Sequence, residues 1–517
     1  MLFKYKIPVL LLLIIPLSLR AEEKRDGKLR QYQDVMWLEN IRYGSTNPVS
    51  ISAIPLNSLF GLGVNYSLED GSFRNVDDPR KESDLQVNIF GIKKLKKIAF
   101  EGNIGYYNQI QRDRKWNSTL FISPGNPFIL GDSVAGKFNV EKFILEGGFS
   151  LPVSSRIRVG IRAGYEAGSS ADQTDPRPDT KSMRFGLNPG IDLRLGKEFT
   201  LGISARVGLL SESVKYSSVV GGVNHIFFLF NGLGNFYPNA GTAYERKYKG
   251  ESYTGNLQFV WEGNRGLSNL FEGGLEYANE DATDGGAQRK FKGGKYKSKQ
   301  YHFSDRFQIK SSRMAHNITL GMQIQQVDGI WYEQKDEIDE NGSTYWKVVS
   351  SSVKHKENRM SGSIGYRLDI LKDELPRLTL EVEGRYLYSE IKNYPELQKQ
   401  TYNRITGNAR LTKYLNIRKS LLGIFVQGSI RQSGNASLEA DGIKLANVYT
   451  RPAFEYLSAD AWKAGGGINL KVPLPLRDFN SYIGAFTRYS TNLYAGESEY
   501  YKNTSRNRID FGIDFTF

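Results

Sequence analysis

Apolar and polar residues alternate with a period of two along most of the chain. Between Met183 and Arg194, the odd positions hold Met, Phe, Leu, Pro, Ile and Leu, whereas the even positions hold Arg, Gly, Asn and Asp. Successive side chains of a strand point to opposite faces of a sheet, so the segment is predicted to be a strand with one apolar and one polar face. Its length is sufficient for a tilted strand to cross a bilayer.

The same alternation recurs and predicts about eighteen strands, with sixteen as the lower bound. The predicted strands are 59–70, 83–93, 97–111, 139–152, 154–167, 181–194, 198–212, 251–262, 268–280, 299–311, 314–331, 356–370, 376–391, 401–415, 420–432, 460–472, 480–493 and 505–517. Short connections alternate with long ones, such as 112–138, 213–250 and 332–355. We therefore predict an all-β fold, a transmembrane antiparallel β-barrel over residues 59–517 with short periplasmic turns and long extracellular loops.

The last predicted strand carries a second signal. Its apolar face contains Phe511, Phe515 and Phe517, and its other face is polar or charged. This pattern resembles the assembly signal of bacterial outer-membrane barrels. The resemblance implies recognition of the three phenylalanines by the barrel assembly machinery and a multi-pass location in the cell outer membrane, among its lipids and lipopolysaccharide.

Two further segments precede the barrel. Residues 1–21 contain two lysines followed by an apolar run and a small residue, which predicts a secretory signal peptide. Residues 22–58 begin with a charged stretch but continue with too many apolar residues for a solvated tail. They are predicted either to enter the barrel as a plug or to form a short periplasmic helix and loop, and the sequence leaves both open.

Composition supports a membrane barrel and excludes other classes. The chain has no Cys, so it forms neither a disulfide nor a thiolate metal site. Its 53 Gly, 30 Tyr and 28 Phe suit strands with small inward residues and aromatic girdles. The net charge of +14 comes with no nucleic-acid-binding motif, so we predict no nucleic-acid partner and assign the basic loops to lipopolysaccharide phosphates.

Charged residues on the predicted inner face are the candidate functional residues. The basic set is Arg156, Arg158, Arg162, Arg184, Arg194 and Arg206, and the acidic set is Glu262, Glu272 and Glu276. One interpretation is a pore lined by opposite charges that select polar or anionic solutes. The other is internal pairing of these charges with each other, with a loop or with a plug, because buried charges are seldom left unpaired.

Catalytic and metal chemistry lack candidate residues. The four histidines, 225, 302, 316 and 355, are far apart in sequence, and none has the spacing of a catalytic triad or a metal site. We therefore predict no enzymatic activity, no metal and no cofactor.

Short motifs resemble an uncharacterised family of outer-membrane β-barrels from the Bacteroidota. They are Met36–Asn40, Gly44–Pro48, Asn126–Ser133 and Asp175–Pro178. Members often occur beside TonB-dependent receptors and surface lipoproteins, which implies a transport-related accessory subunit with such a partner. A porin-like channel for small polar or anionic solutes is the alternative. The pair Asn47-Pro48 also resembles a motif of the fatty-acid channel family, although Val49 replaces its Ala.

Overall fold

The computed structural model describes residues 29–220, 222–285, 290–338, 340–342, 344–476 and 479–517. The predicted signal peptide, residues 1–21, lies outside the described residues. Within them, the dominant feature is a closed antiparallel sheet of eighteen strands. The prediction of an all-β barrel is thereby confirmed.

The chain forms its strands in the following order: β1 (Ser58–Gly71), β2 (Lys81–Leu95), β3 (Ile98–Arg114), β4 (Leu130–Gly131), β5 (Gly136–Pro152), β6 (Ile157–Asp172), β7 (Asp179–Arg194), β8 (Phe199–Ser217), β9 (His225–Gly232), β10 (Asn235–Gly241), β11 (Ala243–Glu262), β12 (Leu267–Asp284), β13 (Phe291–Lys310), β14 (Met314–Ile338), β15 (Thr344–Lys372), β16 (Leu375–Asn393), β17 (Gln398–Ile417), β18 (Ser420–Glu439), β19 (Ala461–Leu476), β20 (Phe479–Tyr494) and β21 (Ser505–Thr516). Strands β4, β9 and β10 form a separate three-stranded sheet, and the others form the barrel wall.

The barrel closes where its first and last strands meet. Leu62 of β1 lies opposite Ile89 of β2 on one side and opposite Phe515 of β21 on the other. Strand β3 pairs with β5, and β8 pairs with β11, because β4, β9 and β10 leave the wall. Closure pairs the edge strands, as a sheet in a lipid bilayer requires.

The two faces of the wall differ in polarity as the alternation predicts. On β8, Leu201, Ile203 and Val207 point outward and are 37%, 49% and 41% exposed. The intervening residues Thr200, Gly202 and Ser204 point inward and are buried. An apolar outer face on a closed barrel is the surface that lipid covers, so these strands span a membrane.

Helices are few and short. They are α1 (Tyr32–Glu39), 3₁₀ helices at Pro48–Ala53 and Asn264–Gly266, a π-helical turn at Ala446–Thr450 and α2 (Arg451–Leu457). None of the helices in the described part of the chain is both long enough and apolar enough to cross a membrane.

Several strands are longer than predicted at the ends away from the short turns. Strand β14 continues to Ile338 and β15 begins at Thr344, so these two form a hairpin that reaches into the predicted loop 332–355. The small sheet of β4, β9 and β10 also lies within predicted loops. Beyond the membrane both faces of a strand meet water or protein, so the apolar alternation that identifies a spanning strand disappears.

Candidate functional site

Residues 29–57, here called the plug, lie inside the barrel at the end that carries the short turns. Gln31 Nε2 donates to Pro376 O at 3.0 Å, while Ser150 Oγ donates to Val49 O at 3.3 Å on another part of the wall. An apolar cluster anchors the plug to the wall and comprises Leu29, Met36, Ile51, Ile54, Leu56, Leu59, Ala99 and Tyr482. The plug therefore occupies the periplasmic end of the lumen.

Glycines in the wall make room for the plug. A Cβ atom on Gly160 of β6 would lie 2.8 Å from Pro48 C, and one on Gly190 of β7 would lie 2.8 Å from Pro48 Cδ. A Cβ on Gly202 of β8 would lie 2.8 Å from Asn47 Nδ2. Asn47 Oδ1 in turn accepts from Val49 N at 3.0 Å and starts the 3₁₀ helix. The absence of side chains on three adjacent strands thus allows Asn47, Pro48 and Val49 to contact the wall directly.

A buried ion-pair cluster fixes the same part of the plug. Arg42 of the plug and Arg158 of β6 both pair with Asp192 of β7, the latter at 3.2 Å. Asn47 Nδ2 donates to the second carboxylate oxygen of Asp192 at 2.9 Å. Glu262 lies 3.6 Å from Arg42. Asp192 therefore holds both the plug and the wall.

Glu272 of β12 forms a second attachment. One of its oxygens accepts from Ser45 Oγ at 2.8 Å, Thr46 N at 3.1 Å and Thr46 Oγ1 at 3.0 Å. Gln258 Nε2 donates to the same oxygen at 3.0 Å. This buried carboxylate therefore accepts one backbone and two side-chain hydrogen bonds from the plug.

The helical half of the plug is held on the opposite side. Arg367 Nη2 of β15 donates to Asp34 at 2.7 Å, and Tyr414 OH donates to the other Asp34 oxygen at 2.8 Å. Between the two sides, Arg306 of β13, the strand next to β12, donates to Tyr43 O at 2.8 Å and lies over the Trp37 ring at 4.8 Å. Polar contacts therefore bind the plug to the wall on both sides of the lumen.

Loop segments cross the extracellular end of the lumen and are here called the lid, which comprises residues 115–135, 225–241 and 441–459. Its β9–β10 hairpin begins beside β8, where Phe227 packs on Tyr216 with ring centroids 4.8 Å apart. The ring of Phe230 stacks on Tyr449 at 5.1 Å. At the tip, Thr450 Oγ1 donates to Leu233 O at 2.9 Å. The hairpin thus reaches from the wall to the loop between β18 and β19.

Two buried carboxylates hold the first lid segment. Glu212 of β8 accepts from Leu120 N at 2.9 Å and Phe121 N at 2.6 Å. Glu280 of β12 accepts from Ser123 Oγ at 2.6 Å and Asn126 Nδ2 at 2.7 Å. Hydrogen bonds to charged acceptors are stronger than neutral ones, so these contacts fix the loop over the lumen.

Asp132 in the lid forms a third attachment. Tyr216 OH donates to its carboxylate at 3.1 Å, and Val134 N donates at 2.7 Å. Ser118 Oγ lies 2.7 Å from the same Tyr216 hydroxyl. Burial raises the pKa of Asp132 to about 6, despite these donors. The protonation of this group therefore changes within a mildly acidic range.

A polar chamber lies between plug and lid. One cavity of about 380 Å³ is bounded by Ser123 and Pro124 of the lid, and another of about 330 Å³ by Thr46 of the plug. Both are lined by the same wall residues, which are Glu146, Gly164, Gly186, Arg206 and Glu276. Because they share these residues, the two cavities are neighbouring parts of one space. Side chains of both charges surround it.

Four of the six predicted basic residues lie on the inner wall and differ in their contacts. Arg158 and Arg162 form ion pairs, the latter with Glu101 at 2.6 Å, and Arg184 lies 5.2 Å from the ring of Phe121 in the lid. Arg206 is exposed to the chamber and has no ion pair within the described residues.

The remaining two arginines do not line the chamber. Arg156 was predicted on the inner wall, but it lies in the exposed turn before β6, because that strand begins at Ile157. Arg194 is the exposed last residue of β7.

The predicted acidic residues also differ in what they contact. Glu262 and Glu272 contact the plug, whereas Glu276 lines the chamber and accepts from Thr254 Oγ1 at 3.1 Å. Sequence reasoning missed Arg42 and Asp34 in the plug, because neither lies in a periodic pattern. It also missed Glu212 and Glu280, although both occupy inward positions of the alternation.

The predicted assembly-signal residues lie at the seam of the barrel. Phe511 is on the outer face of β21, and its ring lies 5.6 Å from that of Tyr66 on β1. Phe517 N donates to Phe60 O at 3.0 Å, and Phe60 N donates to Phe517 O at 2.7 Å. The ring of Phe515 lies 5.5 Å from that of Phe517, and Phe515 pairs with Leu62 of β1. Their role in assembly remains a prediction.

Comparisons with known proteins give a family and a set of similar folds. The model described as "Family of unknown function (DUF6850)" matches residues 48–517. A search of curated proteins finds no match. Similar solved structures include the outer membrane transporter YddB from Escherichia coli, with 9% identity, a TM-score of 0.40 and coverage of 89% of this chain and 80% of that one. A Pseudomonas aeruginosa FadL homologue has 11% identity, a TM-score of 0.33 and coverage of 95% of this chain and 97% of that one. The RagAB peptide importer has 7% identity, a TM-score of 0.40 and coverage of 89% of this chain and 86% of that one.

An even-stranded closed barrel with an apolar outer face is the architecture of bacterial outer-membrane proteins. The chain is a multi-pass protein of the outer membrane. Its interior is closed at one end by the plug and covered at the other by the lid.

Proposed function

This chain belongs to the family of unknown function DUF6850, and we propose that it is a gated transport protein for small charged or polar solutes. The observation that carries the proposal is the chamber between plug and lid. It is hollow, it is lined by both charges, and Arg206 has no ion pair there within the described residues. A barrel that served only as a scaffold would be more stable with this space filled.

The contacts of the plug and lid suit gating. Buried carboxylates at Asp192 and Glu272 hold the plug, and others at Glu212 and Glu280 hold the lid. Each attachment is local and polar, so a solute or a partner can compete for it. A permanently open porin-like channel is less well supported, because the plug fills the periplasmic end.

A second candidate is an accessory subunit that docks to a TonB-dependent receptor or a surface lipoprotein. The observation that favours it is an arm formed by the ends of β14 and β15. Strand β13 pairs with β14 only as far as Ile330, and β16 pairs with β15 only from His355. Beyond these points the hairpin has no sheet pairing with another strand among the described residues. Gln334 still exchanges side-chain hydrogen bonds with Lys292 of β13, and Ile338 at the end of the hairpin is 72% exposed.

Ion flux through the reconstituted full-length mature protein separates the two candidates. A gated transporter should show infrequent openings in a planar bilayer, and the Arg206→Gln variant should reduce the preference for anions. Glu383→Gln, on the inner face of β16, is a control for charge elsewhere in the lumen. A barrel that stays silent at every potential and co-purifies with one receptor or lipoprotein from native membranes would favour the accessory role.

A further inference from the structure

Five charged side chains line the chamber between plug and lid without forming ion pairs among the described residues. Arg184 and Arg206 are basic, and Glu146, Glu166 and Glu276 are acidic. Opposite charges that share a cavity are seldom left unpaired. These free groups therefore indicate a site whose counter-charges come from a solute.

The first opposed pair lies on adjacent strands. Glu166 of β6 is directly opposite Arg184 of β7 in the sheet register. The guanidinium of Arg184 nevertheless lies over the ring of Phe121 in the lid, 5.2 Å from the ring centre. The lid thus holds this arginine away from the neighbouring carboxylate.

Two glycines lie beneath the second opposed pair. Gly164 of β6 and Gly186 of β7 are opposite each other and leave a part of the chamber wall without side chains. A Cβ atom on Gly186 would lie 3.2 Å from Arg206 Nη2, and one on Gly164 would lie 3.7 Å from Glu146 Oε1. The guanidinium and the carboxylate therefore lie over neighbouring glycines, where both are accessible to a solute in the chamber.

The other charged groups of the lining already have partners. Arg162 pairs with Glu101, and Glu280 accepts hydrogen bonds from the lid. Glu251 points to the outer face of β11 and accepts from the outward Tyr253 OH at 2.9 Å. Three carboxylates and two guanidiniums therefore remain free, which gives the chamber one excess negative charge.

A solute that satisfies these groups carries one carboxylate and two cationic groups. We propose that the chamber is a binding site for a basic amino acid of the lysine type. Its carboxylate contacts the guanidiniums of Arg206 and Arg184, since arginine binds carboxylates through paired N–H donors. Its two cationic groups contact the glutamates. The cavities of about 380 and 330 Å³ are of the size of small-molecule sites.

The inference rests on the proposed transport function, because a solute enters the chamber only if the plug or the lid opens. Binding of L-lysine to the full-length mature protein in detergent, measured by equilibrium dialysis, tests it. L-Lysinamide lacks the carboxylate, and L-norleucine lacks the side-chain ammonium. We expect each of these two to bind the wild type at least about tenfold more weakly than L-lysine.

Two variants assign the contacts. Arg206→Gln should weaken L-lysine binding about tenfold but leave L-lysinamide binding unchanged, which also shows that the variant is folded. Glu146→Gln should reduce the preference for L-lysine over L-norleucine. Arg385→Gln and Glu383→Gln, which change one charge of each sign on the inner face of β16, are the matched controls and should bind like the wild type.

Equal binding of the three compounds, or no binding of L-lysine, would overturn the proposal. So would equal losses in Arg206→Gln and Arg385→Gln. Uptake into proteoliposomes separates this failure from that of the transport function. Uptake of small solutes without preference for L-lysine would overturn the basic amino acid and leave transport standing. Selective binding of L-lysine without any uptake would support the site and overturn the transport function, because uptake needs both ends to open.

Discussion

Arg42 of the plug and Asp192 of β7 form an ion pair in which the two side chains are 2% and 0% exposed. The residues are 150 positions apart in sequence, yet this pair joins the N-terminal segment to the wall. Because a buried charge without its partner is destabilising, the pair fixes one position for the plug.

Removal of the buried carboxylate should destabilise the folded protein. We expect Asp192→Asn to lower the free energy of unfolding by about 3 to 5 kcal/mol, because Arg42 and Arg158 lose their shared counter-ion. Urea unfolding in liposomes measures this. Glu262→Gln is the control, since Glu262 is 56% exposed and lies 3.6 Å from Arg42, and its effect should stay below about 1 kcal/mol. Similar losses in both variants would contradict the assignment.

The lid should loosen when Glu280 loses its charge. Gln at this position brings an N–H donor toward Ser123 N and Asn126 Nδ2, which now donate to the carboxylate. We expect Glu280→Gln to weaken lid closure by about 1 to 3 kcal/mol. Hydrogen exchange of residues 115–135 reports the change. Glu276→Gln, on the same face of β12, should leave the exchange unaltered, and equal acceleration in both variants would count against this role.

Lid closure should depend on pH through Asp132. Its pKa is about 6 in the folded lid and 3.8 ordinarily, so the closed lid binds the proton more tightly than the open lid. The stabilisation is therefore fully present below pH 3.8 and is lost as pH rises through about 6, with a total of up to about 3 kcal/mol. Hydrogen exchange of the lid between pH 4 and 7 should show this trend in the wild type but not in Asp132→Asn. The same trend in both proteins would rule out Asp132 as its source.

The two faces of the wall should respond differently to a charge. Ile203 faces lipid, so Ile203→Arg should lower the free energy of unfolding by about 2 to 4 kcal/mol. Ser252 lines the chamber, where an added guanidinium meets water and carboxylates, and Ser252→Arg should be nearly neutral. Equal losses of the free energy of unfolding in liposomes would mean that these residues are assigned to the wrong faces of the wall.

The wall was predictable from sequence because lipid imposes a period of two on every spanning strand. All eighteen predicted strands overlap strands of the structure, and Ile203 and Phe303 face lipid as the alternation requires. The ends were not predictable, since strands such as β14 and β15 extend past the bilayer, where no apolar face is needed. The alternation that lipid imposes, and not the intrinsic strand propensity of the residues, therefore determined which strands the sequence could predict.

The contacts inside the barrel could be predicted from the sequence only in part. Alternation places Arg158 and Glu272 on the inner face, but it does not identify their partners, because Arg42 and Ser45 belong to a segment without periodicity. Glycines at 160, 190 and 202 also have two explanations in sequence, small lumen residues or close contact with another segment of the chain. The three-dimensional structure is needed to distinguish them.

Conductance of a plug-displacing variant tests the central claim most directly. Leu at Gly190 would overlap Pro48 and exclude the plug from the wall, whereas Leu at Gly186, on the same face of β7, meets Arg206 instead. In a planar bilayer, wild type and Gly186→Leu should remain mostly closed, and Gly190→Leu should open more often and conduct more. If the wild type conducts freely, or if Gly190→Leu stays as closed as Gly186→Leu, the plug does not control the conductance of this barrel.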